Sequence, residues 1–244
     1  MPVAGRGGWM GFQSMKTHFF LHFALATALA GAALSAVPDP LALPDGGLAS
    51  SPEMWRTQVR PLTLRQFREQ VYGVRPATQA WNVVTKLRRV DPMALNGSAP
   101  LKELEITISG PGGAVSIRPV LVIPNAAKSP AATFLVMNFR KPDPDDPENA
   151  GGDWPVREII QRGYATVAFD FNDADPDRVD GFGDGVRGLL GNEPRANDAW
   201  GALSAWGWAA SRVMDYLQTD PAVDAARVAV VGHSRAGKAA LWCG

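Results

Sequence analysis

The sequence is poor in cysteine and carries no excess charge of either sign. Cys243 is the single cysteine, which excludes an internal disulfide, and on an apolar helix it is expected to be buried as a small hydrophobic side chain. The 24 lysines and arginines balance the 24 aspartates and glutamates. No overall field therefore draws the chain to nucleic acid or acidic lipid, and any charge selectivity must be local.

The chain is long enough for one folded domain behind a leader. Its 244 residues, 46% of them hydrophobic, suffice for a sizeable core. From Met15 the sequence has the pattern of a signal peptide: Lys16 and His18, an apolar run over 19–30, then small residues over 31–36. We predict that residues 1–36 are a signal peptide with an N-terminal extension. An uncleaved membrane anchor is the alternative, because 19–37 approaches the length that spans a bilayer.

Behind this leader, residues 37–54 contain several prolines and glycines and are predicted to be a linker. The domain is predicted over 55–244. An amphipathic helix is expected over 62–72, ending at Gly73. Alternating strands over 101–109 and 115–124, joined by a turn of glycines and one proline over 110–113, predict an antiparallel hairpin.

Three short apolar runs, over 133–138, 165–171 and 228–231, are typical of buried parallel strands. Helical patterns over 154–162 and 198–217 lie between them, so the fold class is α/β with a parallel sheet. The loop over 139–148 contains three prolines and has no regular pattern. The loop over 172–183 has four aspartates with a spacing that suggests calcium, but Pro176 and Arg178 favour a solvated loop and no metal.

The most informative stretch is the last strand-to-helix junction. A β-branched run ends at Gly232, Ser234 follows, and a helix is predicted over 236–243. This is the context of a nucleophile elbow, in which a serine stands at the start of a helix whose free N–H groups stabilise an oxyanion. Ala236 stands where the pattern G-x-S-x-G has its second glycine. The cations Arg235 and Lys238 indicate a site for an anionic substrate.

The same residues nearly fit a phosphate-binding loop. Gly232, Gly237 and Lys238 match G-x-x-x-x-G-K, and a buried strand precedes them. Ala239 stands where that motif has the serine or threonine that binds magnesium. A nucleotide-binding protein is therefore kept as an alternative from a different class.

The run Gly232-His-Ser-Arg-Ala-Gly-Lys238 resembles the G-[HC]-S-R-x-G-K signature of the glucuronoyl esterases, and 162–177 and 209–217 are also similar to bacterial members. The resemblance implies a three-layer α/β-hydrolase sandwich, truncated here after the elbow. It implies Ser234 as nucleophile, Arg235 as a stabiliser of the oxyanion and Lys238 as a ligand of the glucuronate hydroxyls. The implied substrate is a 4-O-methyl-glucuronate ester of plant cell-wall polysaccharide, and the implied enzyme is a monomer without a cofactor. The signal-peptide pattern predicts that the protein is secreted or periplasmic.

A serine esterase also needs an acid and a histidine, which in this fold follow the serine along the chain. The histidines are His18, His22 and His233, and His233 is expected to pack behind the elbow rather than act as base. The triad cannot be completed, so we interpret the chain as the N-terminal part of a longer protein. An acetylxylan esterase or other carbohydrate esterase of the same fold, and a non-catalytic remnant, are the remaining alternatives.

Overall fold

The computed structural model describes residues 37–76, 81–127, 130–147, 152–190 and 197–244. The predicted signal peptide lies outside these residues. In the described part of the chain, every helix is too short or too polar to cross a membrane. The chain divides into two compact units, Met1–Thr63 and Leu64–Gly244. In the first, a bridge between Ala42 and Leu48 closes a turn within the predicted linker.

The helices and strands have the following bounds. The helices are α1 (Pro52–Met54), α2 (Arg60–Phe67), α3 (Ala94–Gly97), α4 (Val156–Gln161), α5 (Phe171–Ala174), α6 (Ala202–Leu217) and α7 (Arg235–Cys243), with π-helical turns at Trp55–Val59 and Arg68–Tyr72 and 3₁₀ turns at Gly181–Gly183 and Val186–Leu190. The strands are β1 (Asn82–Asp91), β2 (Leu101–Gly110), β3 (Gly113–Ile117), β4 (Val120–Val122), β5 (Ala131–Asn138), β6 (Ala165–Asp170) and β7 (Val223–Gly232).

The seven strands form one sheet in the order β1-β2-β4-β6-β5-β7, with β3 paired to β2. The first part is antiparallel, and β5 runs parallel to both β6 and β7. The predicted hairpin is confirmed as β2 and β3. The single strand predicted over 115–124 is wrong: Pro119 separates β3 from β4, which pairs with a different part of β2.

Helices cover both faces of the parallel strands, because successive side chains of a buried strand point to opposite sides. Leu135 and Met137 of β5 belong to the core under α6 and α7. Val136, between them, belongs to a second core that includes Val156 and Ile160 of α4. This is the three-layer sandwich predicted from the sequence.

The two helices on the β7 side pack closely together. A Cβ placed on Gly207 of α6 would lie 3.3 Å from the carbonyl oxygen of Ala239 and 3.5 Å from Cβ of Cys243, both on α7. Cys243 is half-buried at this contact, and burial raises the pKa of its thiol despite a hydrogen bond with Ser211. The tight contact fixes the direction in which α7 leaves the sheet.

Candidate active site

The register of the parallel strands brings three chain segments to one edge of the sheet. Asn138 at the end of β5 is paired with Asp170 at the end of β6, and Met137 is paired with Gly232 at the end of β7. The carboxyl ends of parallel strands are where open α/β sheets bind their ligands. The loops that follow these strands therefore share one functional edge.

Ser234 stands at the apex of the turn between β7 and α7. Its backbone has φ 54° and ψ −116°, an unfavourable conformation for a residue with a Cβ, and its side chain does not cap the helix. Such a conformation costs about 1–3 kcal/mol and persists only when its surroundings enforce it. The hydroxyl is thus held exposed at the start of a helix, as the elbow prediction requires.

Close packing below the apex enforces this turn. A Cβ on Gly232 would lie 2.4 Å from both the carbonyl carbon and the oxygen of Ala236, so only glycine fits. Ala236 is 2% exposed and leaves room for the strand to pass beneath the helix. Alanine therefore serves where the usual pattern has glycine.

The phosphate-loop alternative is not compatible with this geometry. A phosphate is held by an open loop between the first glycine and the lysine of that motif. Here α7 begins at Arg235, so Gly237 and Lys238 lie inside the helix, and Gly237 packs against Gly232. The segment leaves no loop in which a phosphate could lie.

A small cleft of about 120 Å³ opens beside Ser234. It is bounded on one side by Phe139, the first residue of the proline-containing loop after β5, and on another by Phe171 at the start of α5. The 139–148 loop therefore borders the cleft through Phe139. In this fold, the same loop contributes an oxyanion-binding N–H.

The segment after this loop contacts the elbow turn through Asp153 and the end of β5 through Asn138, two residues that the sequence analysis did not identify as functional. Asn138, fully buried, donates to the carbonyl oxygen of Arg140 at 3.1 Å and accepts from the backbone N–H of Asp153 at 2.9 Å. The Asp153 carboxylate lies 3.3 Å from Nδ1 of His233. Gly152 has φ 78°, and any Cβ there would collide with the Asn138 amide. The Asn138 amide thereby connects Arg140, just after β5, with Asp153.

The expected position of His233 is wrong. Its side chain is 75% exposed and faces the cleft rather than packing behind the elbow. The physical reason is the strained turn at Ser234, which leaves the preceding side chain pointing to the loop that carries Asp153. The contact between His233 and Asp153 thus connects the elbow turn with the segment that follows β5.

Arg235 projects from the first turn of α7 toward the loop after β6. Its Nη1 lies 2.9 Å and 2.8 Å from the two carboxylate oxygens of Asp177. The arginine side chain is 64% exposed and that of Asp177 is 24% exposed. Arg235 lines the cleft beside Ser234, and its guanidinium group is held by a carboxylate that the sequence predicts to be one of four solvated ones.

Lys238 lies one helical turn after Ser234, and its N–H donates to the Ser234 carbonyl at 3.2 Å. Its side chain is exposed. The carbonyl oxygen of Lys238 accepts a hydrogen bond of 2.9 Å from the Tyr72 hydroxyl, and the Tyr72 ring stacks on Trp242 at 4.3 Å. This contact anchors the first turns of α7, so Ser234 and Lys238 keep a fixed spacing.

The aspartates of the 172–183 loop each have a cationic partner. Asp173 pairs with Lys141, Asp175 with Arg187, Asp177 with Arg235, and Asp180 with Arg178. Within the described ranges, no group of three or more histidine, cysteine or acidic residues is arranged to hold a metal ion. The carboxylates thus organise the edge of the site through ion pairs.

The mixed sheet, its covering helices and the elbow at the end of β7 define the α/β-hydrolase fold. Two solved structures resemble it over most of this chain. A glucuronoyl esterase from Solibacter usitatus is 31% identical with a TM-score of 0.75, covering 85% of this chain and 60% of its own. A glucuronoyl esterase from Teredinibacter turnerae is 29% identical with a TM-score of 0.72, covering 87% and 54%.

Comparisons of sequence agree. The family model for fungal glucuronyl esterases matches residues 152–244. A carbohydrate esterase from an unknown prokaryotic organism is 26% identical over 85% of this chain and 55% of its own length. A 4-O-methyl-glucuronoyl methylesterase from Phanerochaete chrysosporium is 26% identical over 90% and 42%. The chain is thus similar to glucuronoyl esterases in both sequence and structure, and it spans about half the length of these curated relatives.

Proposed function

We propose that the protein carrying this chain is a serine esterase that hydrolyses esters of 4-O-methyl-glucuronic acid in plant cell-wall polysaccharide. The observation that supports this most directly is the strained Ser234, exposed at the start of a helix, beside a cleft and a guanidinium group. The names of the family's curated members supply the ester class.

In the proposed mechanism, the Ser234 hydroxyl attacks the ester carbonyl and loses its proton to a base. A tetrahedral oxyanion forms, the alcohol leaves, and water then cleaves the acyl-enzyme. The N–H of Arg235 at the start of α7 and an N–H of the loop at Phe139 would bind the oxyanion, with the Arg235 guanidinium adding charge. We propose that the base and its acid come from the part of the protein that this chain does not include.

The proposed role of Lys238 is to bind hydroxyl groups of the uronate ring. Its position one turn from Ser234 places both side chains on one face of α7. Three ammonium donors suit a ring with several hydroxyl oxygens. The Tyr72 hydroxyl, by fixing the Lys238 carbonyl, would keep this binding group at a constant distance from the nucleophile.

We also propose that the protein is exported and acts on its polysaccharide outside the cytoplasm. The support is the leader-like pattern over 15–36, together with the proposed substrate, which is a cell-wall polysaccharide. N-terminal sequencing of the protein recovered from its source would test this. Recovery only in uncleaved form from membranes would instead favour the anchor.

The function is tested by hydrolysis with the protein expressed from its complete gene. The substrates are a methyl ester of 4-O-methyl-glucuronic acid and, in parallel, acetylated xylan. We expect methanol release from the first and a loss of about a thousandfold or more in kcat for Ser234→Ala. Activity on acetylated xylan alone would assign the alternative esterase, and appreciable activity in Ser234→Ala would refute the nucleophile assignment.

A further inference from the structure

The ion pair between Asp177 and Arg235 has an unusual geometry for a carboxylate and a guanidinium. Both carboxylate oxygens approach the same nitrogen, Nη1, at 2.9 Å and 2.8 Å. In the common fork, two guanidinium nitrogens are used at once. Among the described residues no further acceptor is bonded to this guanidinium. Nε and Nη2 therefore keep donors for a ligand at the cleft.

Asp177 is itself fixed to the sheet through a short series of hydrogen bonds. Its backbone N–H donates to Oδ1 of Asn172 at 3.1 Å. The backbone N–H and side-chain amide of Asn172 both donate to Asp170 Oδ1 at 2.9 Å. Asp170 ends β6 and is 7% exposed, and burial raises the pKa of its carboxyl despite these bonds. The carboxylate that contacts Arg235 thus has a rigid support.

The exposure of the pair indicates what it contributes. An ion pair as open as this one adds little to the free energy of unfolding. A free arginine side chain, in contrast, has considerable rotamer entropy to lose when it is fixed. Holding the guanidinium before the reaction removes that cost from the transition state. The pair is therefore better suited to orientation than to stability.

We propose that Asp177 is a positioning residue that holds the Arg235 side chain with its free N–H groups directed to the oxyanion. The proposal rests on the proposed esterase function. Asp177 touches no reacting atom and acts only through Arg235. Because the negative charge on this oxygen is absent from the bound ester and develops only on the way to the tetrahedral intermediate, the loss of this orientation must appear in kcat rather than in KM.

The first experiment compares Asp177→Asn with Asp180→Asn in the protein from the complete gene. Both change one carboxylate of the same loop to an amide, and Asp180 pairs with the exposed Arg178. For Asp177→Asn we expect kcat on the glucuronate methyl ester to fall about tenfold with KM changed less than about twofold. The control should keep its kcat, and both variants should unfold at the wild-type temperature.

A double-mutant cycle with Arg235→Ala distinguishes positioning from a general structural role. If Asp177 acts through Arg235, then Asp177→Asn has no further effect on kcat once the arginine side chain is absent. An unchanged kcat in the single variant, or an equal tenfold loss in the Arg235→Ala background, would overturn the proposal. Either result would leave the esterase function standing as long as Ser234→Ala remains inactive.

Discussion

Two aspartates of the loop after β6, only two residues apart, make ion pairs with opposite surroundings. Asp175 and Arg187 have side chains 0% and 6% exposed, whereas Asp177 and Arg235 are 24% and 64% exposed. Asp175 also accepts from the Arg187 backbone, and its carbonyl accepts from the Trp206 indole at 2.7 Å. The same pair of residue types can thus fasten a loop to the core or orient a side chain at a cleft, and burial decides which.

The buried pair should show the largest effect on stability. Asp175→Asn leaves the Arg187 charge buried without its carboxylate, which typically costs 3–5 kcal/mol, so we expect about 3 kcal/mol or more lost from the free energy of unfolding. Urea denaturation of Asp175→Asn and of Asp180→Asn measures this, with the exposed control expected within about 0.5 kcal/mol. Similar midpoints for the two variants would show that burial does not separate these pairs.

A third pair lies between these extremes. The Lys102 ammonium contacts Asp220 at 2.6 Å, with side chains 22% and 1% exposed, and the Tyr216 hydroxyl donates to the same carboxylate at 2.9 Å. Lys102→Met removes the cation but keeps the aliphatic length. We expect a loss of about 2 kcal/mol at neutral pH, smaller than for Asp175→Asn and larger than for Asp177→Asn.

This pair also predicts a pH dependence. Burial alone would raise the pKa of Asp220, but hydrogen bonds from Lys102, Ala222 and Tyr216 and the Lys102 charge outweigh it and lower the pKa. A lowered folded pKa stabilises the protein above the unfolded value of about 3.9, and that stability is lost as the pH falls through the folded pKa. Unfolding free energies from pH 7 to pH 2 should therefore drop less steeply in Lys102→Met; parallel curves would contradict the assignment.

The smallest expected effect on stability concerns the elbow, where the backbone conformation of Ser234 is energetically unfavourable. Ser234→Gly and Ser234→Ala both remove the hydroxyl, but only glycine relieves the conformation at φ 54°. We expect the glycine variant to be more stable than the alanine variant by about 1 kcal/mol, after allowing for the greater freedom of glycine in the unfolded chain. Thermal unfolding of the two inactive variants measures the difference. Equal melting temperatures would mean that the turn is not strained.

The sequence predicted those parts of the fold that depend on local pattern. The hairpin of β2 and β3 follows from alternation around a glycine turn, and the elbow follows from a β-branched run ending at Gly232. Strand β1 was missed because its side chains are mostly exposed and include Lys86 and Arg88, so it has no apolar face to recognise. Its formation depends on pairing with β2, which is a tertiary effect.

The side-chain partners at the site could not be predicted in the same way. The loop after β6 contains four aspartates that look alike in sequence, and the turns at α5 and Gly181–Gly183 decide which of them meets Arg235. Likewise, nothing near His233 in the chain indicates Asp153, which is 80 residues away. One signal was available for Asn138, since an amide ending an apolar strand needs a hydrogen-bonding partner when buried.

The half-buried Cys243, in contact with Gly207, gives this chain a built-in attachment point for a probe. As the single thiol of the sequence, it can accept one maleimide dye without any background mutation. Its raised pKa leaves little reactive thiolate at neutral pH while α6 and α7 remain packed. The labelling rate of this one sulfur therefore reports on the surroundings of the helix that begins beside Ser234.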